Sequence, residues 1–349
     1  MTIKIENKEL VNIQYLRAIA ALMVVWVHAR EQFPWVRGQF PSGVGANGVD
    51  LFFVISGFIM VYTTHNKSIS PLAFMVRRLE RIAPLYWLAT LLIVLVASVV
   101  PLILKSTVLS SSHIFASLAF VPMLSPAFPD KYWPLLIPGW TLNYEMAFYA
   151  IFSITLFVKG LYRIFLLSFV LLSLVVAGLF FNWQGVLGFY ADAIILIFLA
   201  GAILGYFYVK GRLKKNALVG IFFVLLGVGL WIVTQDLDVG HRAIGAGIPA
   251  TLVVLGFCCM PTLFPDKLTW LARLGDASFS IYLSHIFILA GLRTLLNRIG
   301  IVIAENSLGL TYMVLAIAIC AIFGFFVYQW IEKPLSKIRF KRTGMRVYG

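Results

Sequence analysis

Charged residues are what this sequence has least of. Lysine and arginine number 28, aspartate and glutamate 14, and together they make up 12% of 349 positions, against roughly 25% in soluble globular domains. That scarcity excludes an ordinary water-soluble domain. Cysteine is nearly absent too: Cys258, Cys259 and Cys320 are the three, and their spacing fits neither a metal site nor a disulfide framework. No internal repeat, low-complexity segment or soluble domain stands out. The N-terminal stretch lacks the profile of a cleaved leader, because Glu6 and Glu9 precede the first apolar run and Arg17 sits just inside it. The first segment is therefore expected to be retained.

What is abundant is apolar sequence, at 61% of residues. Uncharged runs long enough to cross a hydrocarbon core, which takes about 20 helical residues, recur along the chain. They predict an all-α, polytopic membrane helix bundle of about ten transmembrane helices, near 13–30, 47–64, 82–104, 138–158, 162–181, 190–208, 217–234, 243–260, 278–295 and 309–331. With the N-terminus inside, 20 of the 28 basic residues fall on inner segments and seven on outer ones. Cytoplasmic loops are the basic ones, so both termini are expected to be cytoplasmic. The division is a transmembrane domain over 1–335 and a basic cytoplasmic tail over 336–349. The formal charge of +14 is explained by this asymmetry and by headgroup contacts of the tail rather than by nucleic acid. One long outer loop, 105–137, is rich in serine, proline and aromatics.

Ionisable groups within apolar spans are costly, by about 2.5 kcal/mol or more at the bilayer centre. Arg17 and His28 in "IQYLRAIAALMVVWVHAR" are 11 residues apart, about three turns, so both point the same way about 16 Å apart along the axis. Snorkelling at the two ends is one explanation; a functional polar stripe is the other, and the shared phase favours it. Asp50 and Glu145 lie in spans that descend from the outer side, which puts both in the outer half with His28. An imidazole beside carboxylates has the makings of a general base with an orienting partner. A structural cluster locking three helices together is the equal alternative.

On the inner side, "MVRRLERIAPLYW" carries Arg77, Arg78 and Arg81. If helical, their i,i+3 and i,i+4 spacings gather three guanidinium groups on one side, with Pro84 able to begin the third span. Such a cluster suits phosphate, although plain positive-inside anchoring has the stronger prior. Glu332 reaches the same surface and either organises the arginines or balances Lys333. His285 lies well inside the ninth span, where a lone histidine is more often a packing element than a participant in chemistry. Trp133, Trp140 and Tyr144 read first as interfacial belt residues, with sugar stacking the weaker alternative.

Taken together these segments resemble the membrane-bound acyltransferase-3 family. The matching features are the R-x10-H pair (Arg17, His28), "GVDLFFVISGF" (48–58), "RRLERIAPLYW" (77–87), "GWTLNYEMAFY" (139–149), "LGDASFSIYLSH" (274–285) and a closing "EKP" (332–334). They occur in the family's order across nearly the full chain, and the chain looks most like the exopolysaccharide-production branch.

The resemblance implies a multi-pass O-acyltransferase of the bacterial cytoplasmic (inner) membrane. It would move an acyl group, usually acetyl, from cytoplasmic acyl-CoA (acetyl-CoA) to a hydroxyl of an outward-facing exopolysaccharide or lipid-linked glycan. His28 is then the expected catalytic histidine, Asp50 and Glu145 site carboxylates, and Arg17, Arg77, Arg78 and Arg81 donor-side candidates. Trp140, Tyr144 and His285 are weaker substrate-binding candidates. No metal and no nucleic acid is expected; membrane lipids and polysaccharide-synthesis proteins are further candidate partners. Some relatives carry an added periplasmic esterase-like domain; here the acceptor is expected to be handled by the membrane domain or by a partner. The expected route threads the pantetheine arm of coenzyme A from the inner arginines past Arg17 to His28. His28, held by Asp50 or Glu145, then acts as base or as covalent acyl carrier. A transporter or flippase would use similar buried groups without chemistry, but the missing inverted repeat argues against it. A scaffold for a polysaccharide synthase would leave Arg17 and His28 unexplained.

Overall fold

The computed structural model describes residues 10–40, 43–100, 107–234, 242–262, 269–303 and 306–337. Among these no strand forms. The helices are α1 (Val11–Arg30), α2 (Pro34–Gln39), α3 (Gly43–Ala46), α4 (Gly48–Thr64), α5 (Pro71–Val99), α6 (Ser111–Leu118), α7 (Trp140–Ile154) and α8 (Leu161–Phe180). They continue with α9 (Gly185–Tyr190), α10 (Leu196–Val209), α11 (Ala217–Thr234), α12 (Ile248–Cys259), α13 (Thr269–Asp276), α14 (Ser278–Arg298), α15 (Asn306–Val327) and α16 (Lys333–Leu335). Single π turns join in at Ala243–Gly247, before α12, and at Tyr328–Glu332, after α15.

Six segments among the described residues are long and apolar enough to cross a membrane: α1, α5, α8, α11, α14 and the run Leu308–Leu335. The other four expected spans are occupied by the shorter helices α4, α7, α10 and α12. Burial separates the six by position. About 61% of α1 is enclosed by protein, against 17% of α11. A helix surrounded by protein can carry polar groups that a lipid-facing one cannot, so the arginine and histidine of α1 are placed where they can be satisfied. The outward faces of α8, α11 and α15 show Phe169, Leu225 and Ile322 instead.

α4 and α10 meet backbone to backbone. A Cβ on Gly57 would lie 1.9 Å from the Phe198 carbonyl oxygen, and one on Gly201 the same distance from that of Val54. Only glycine permits this approach, and Gly201 and Gly205 form the small-xxx-small pattern that brings membrane helices together. Phe53 then stacks on Phe198 at 4.4 Å between centroids.

One expected boundary moves. The third span was expected to start near Pro84, but α5 begins at Pro71, where Ser70 Oγ accepts from the Ala73 N–H (3.2 Å). Proline at the first helical position and a serine cap are a strong helix start, and Pro84 falls inside the helix. Within the expected outer loop 105–137, residues 111–118 form α6. Of the expected tail 336–349, only Ser336 and Lys337 lie inside the described residues.

Candidate functional site

The stripe on α1 faces α14. Arg17 Nη2 donates to Ser278 Oγ (2.9 Å) and Nη1 to Gln14 Oε1 (2.9 Å). Three turns on, the His28 ring packs against that of His285, with centroids 4.8 Å apart. Helical phase thus carries both polar groups to one neighbour. The level of Arg17 is held by Gly275: a Cβ there would sit 2.1 Å from the Gln14 carbonyl oxygen, so α13 lies tight on α1. Half-buried Asp276 ends α13 outside the apolar helices, and burial raises its carboxyl above the ordinary range while Arg17 and Arg81 oppose the rise.

Among the described residues no carboxylate holds His28, which corrects the expected pairing with Asp50 or Glu145. Its Nδ1 lies 3.0 Å from the Val24 carbonyl oxygen one turn back. A carbonyl only accepts, so Nδ1 carries the proton and a neutral His28 presents the Nε2 lone pair.

Asp50 pairs elsewhere. It is fully buried at the N-terminal end of α4 and takes two donors from Arg242, Nε to Oδ1 at 3.0 Å and Nη2 to Oδ2 at 2.8 Å. The Arg242 guanidinium also donates to the Ala46 carbonyl (3.1 Å) and lies over the Trp140 ring at 5.7 Å. Arg242 is one of the seven basic residues that fall on outer segments of the predicted topology, and nothing in the sequence singled it out as a partner of Asp50. The available signal was a cation at the same end of the bundle as an unpaired buried aspartate.

Glu145 sits deeper, at the level of Ser56, six residues or about 9 Å along α4 from Asp50. Ser56 Oγ donates to Glu145 Oε1 at 2.8 Å, and the Tyr149 hydroxyl donates to the same oxygen. Tyr149 is the i+4 neighbour of Glu145, and Ser56 lies inside the "GVDLFFVISGF" segment, yet neither stood out beforehand because hydroxyls are common in apolar helices.

These groups line a cavity of about 830 Å³, open mouth included, between α1, α4, α5, α7 and α14. Arg17, Arg81, Ser278, Ser56, Glu145 and Tyr149 supply its polar wall, and Val49, Phe52, Phe53 and Tyr282 its apolar one. Along α4 the lining runs from Met60 to Val49, a rise of about 16 Å. His28 is not part of the lining. Tyr282 closes that side, its hydroxyl fixed by Thr141 Oγ1 (2.8 Å) and the Pro138 carbonyl (2.7 Å), and its ring lies 6.1 Å from His285.

The three inner arginines do not share a face. Arg77 is exposed, Arg78 is buried with its guanidinium over Phe74 (5.3 Å) and Tyr149 (5.8 Å), and Arg81 enters the cavity. Consecutive helical residues diverge by about 100°, so Arg77 and Arg78 cannot both join Arg81. Glu332, in the π turn after α15, accepts from Ser280 Oγ at 2.5 Å, while Lys333 reaches Gln329 (3.4 Å). Tyr144 is buried and stacks on Phe189 at 4.1 Å, so its ring packs the core rather than offering an open platform.

A helical bundle of apolar segments enclosing a basic cavity beside a histidine pair defines a membrane-embedded binding or catalytic protein. The acyltransferase domain family matches residues 10–325, and the chain belongs to that family. It is similar to the exopolysaccharide production protein ExoZ of Rhizobium meliloti, with 36% identity over 84% of this chain and 90% of that one. It is also similar to the O-acetyltransferase OatA of Staphylococcus aureus, 24% identical over 93% of this chain and 57% of that protein. No solved structure matches. The chain is a multi-pass membrane O-acyltransferase.

Proposed function

We propose that the chain moves an acyl group, acetyl in the first instance, from cytoplasmic acyl-CoA to a hydroxyl of an exopolysaccharide or other cell-surface glycan. The chain would reside in the bacterial cytoplasmic membrane, with ten spans and both termini cytoplasmic. The Arg81 end of the cavity then faces in and the Asp50 end faces out.

The observation that carries this reading is the cavity itself. Arg17 and Arg81 both line it, and along α4 it extends about 16 Å from Met60 to Val49, a length comparable with an extended phosphopantetheine arm. Arg81 has no ion pair or hydrogen bond of its own among the described residues, which leaves a forked donor for a phosphate or for the pantetheine amides. The route to His28 must pass the Tyr282 ring, so donor loading includes a displacement of that side chain or passage beside it.

His28 Nε2 takes the proton of the acceptor hydroxyl as its oxygen attacks the thioester carbonyl. Asp50 and Glu145 act at a distance from that nitrogen: Asp50 anchors Arg242 over Trp140 at the glycan side, and Glu145 counters the charge of the donor arginines. A transporter reading makes the opposite forecast for one assay, acetyl-CoA consumption by purified protein in detergent. Wild type is expected to release CoA when a glycan acceptor is supplied, and His28→Ala, with unchanged elution and melting, is expected to release none. Transfer surviving in that variant removes His28 from the chemistry.

A further inference from the structure

His285 is fully buried, yet neither ring nitrogen has a hydrogen-bond partner among the described residues. The Ile281 and Tyr282 carbonyls one turn back lie near the ring, but neither forms a hydrogen bond of good geometry with it. A neutral imidazole always carries one N–H donor, and a buried donor left unpaired is a rare and costly feature that calls for an explanation. Its surroundings give one. The ring lies 4.8 Å from His28 on one side and 6.1 Å from Tyr282, the cavity-lining residue, on the other. His285 therefore stands between the cavity-lining Tyr282 and His28.

We propose that His285 is a second catalytic residue, whose ring N–H donates to the carbonyl oxygen of the acyl thioester as negative charge develops on it. The inference rests on the acyl-transfer reading of His28 and deepens it. In the step, the acceptor oxygen forms the new C–O bond and gives its proton to His28 Nε2. The carbonyl oxygen takes up the negative charge of the tetrahedral intermediate and accepts from His285. The C–S bond then breaks, the thiolate leaves with the electron pair, and it recovers the proton from His28. Two imidazoles with centroids 4.8 Å apart are close enough to reach one acyl group placed beside the pair, one working at the attacking oxygen and one at the carbonyl oxygen. His285 is the polar group that α14 packs against the His28 ring, and a donor held in place by burial is preorganised for the second task.

The test uses full-length protein in detergent with acetyl-CoA and a soluble oligosaccharide acceptor, comparing wild type, His285→Leu and His285→Gln. Removing one such donor typically lowers kcat by about 100- to 1,000-fold. His285→Leu is expected to show a loss of that order, with acetyl-CoA KM and directly measured binding within about threefold of wild type. His285→Gln keeps an N–H and is expected to recover about tenfold or more of the loss. A His285→Leu kcat within about threefold of wild type, or no advantage for glutamine, overturns the proposal. A measurement on wild type guards against misfolded variants: the carbonyl band of bound [13C]acetyl-CoA is expected at lower frequency than in solution, and an unshifted band overturns the proposal. Wild type that consumes no acetyl-CoA overturns the underlying reading and this inference with it.

Discussion

Replacing Arg242 by methionine should destabilise the protein far more than replacing Asp50 by asparagine, although the two residues form one ion pair. The asymmetry lies in exposure: the Asp50 side chain is 0% exposed and that of Arg242 37%. Without Arg242, a carboxylate that now takes donors at 3.0 and 2.8 Å stays charged in an apolar end of the bundle, a loss of about 3–5 kcal/mol. Without the Asp50 charge, Arg242 still has water, the Trp140 face and the Ala46 carbonyl, and the loss should be about 1 kcal/mol, the net worth of an ordinary hydrogen bond. The double variant Asp50→Asn with Arg242→Met removes the stranded charge and should regain about 2 kcal/mol over Arg242→Met alone. Thermal unfolding in detergent, followed by tryptophan fluorescence, ranks the three. The reasoning is refuted if Asp50→Asn is the least stable, or if the double variant is no better than Arg242→Met. A stable Asp50→Asn protein as inactive as His28→Ala would instead return Asp50 to a direct part in the chemistry.

Two further outcomes follow from the cavity and the helix packing. Arg81→Ala and Arg17→Ala should each weaken acetyl-CoA binding, read by calorimetry, by about 10- to 100-fold, the worth of one charge-assisted contact; exposed Arg77→Ala should change it little, and equal effects at all three positions would restore plain membrane anchoring. Gly201→Ala should cost folded yield and shift the size-exclusion peak, because its Cβ would meet the Val54 carbonyl oxygen at 1.9 Å, whereas Gly229→Ala, with open space around it, should behave as wild type or melt slightly higher.

Much of this was legible from residues alone because its causes are local. Apolar runs mark helices wherever they occur, and three turns between Arg17 and His28 put both on one face whatever the neighbour. The family motifs are contiguous strings. The start of α5 was missed for a local reason of another kind: charged residues 77–81 hid a helix whose signal was the Ser70 cap and Pro71. Partners were not legible, because they are chosen by atoms far apart in the chain. Asp50 and Arg242 are 192 positions apart, Ser56 and Glu145 89.

By itself the sequence determined that this chain is helical and apolar, that its basic residues are biased to one side of the predicted topology, and that an arginine and a histidine share a face of the first helix. Periodicity and composition are properties of short windows, and they survive any packing. Only the tertiary structure decided what that face meets: Ser278 beside Arg17, and the unpartnered ring of His285 beside His28. It also divided three neighbouring arginines among solvent, an aromatic bed and the cavity. Each of those outcomes depends on where a second helix lies within a few ångströms, and that is set by close backbone approaches such as Gly57 on Phe198 and Gly275 on Gln14, not by any periodicity along the chain.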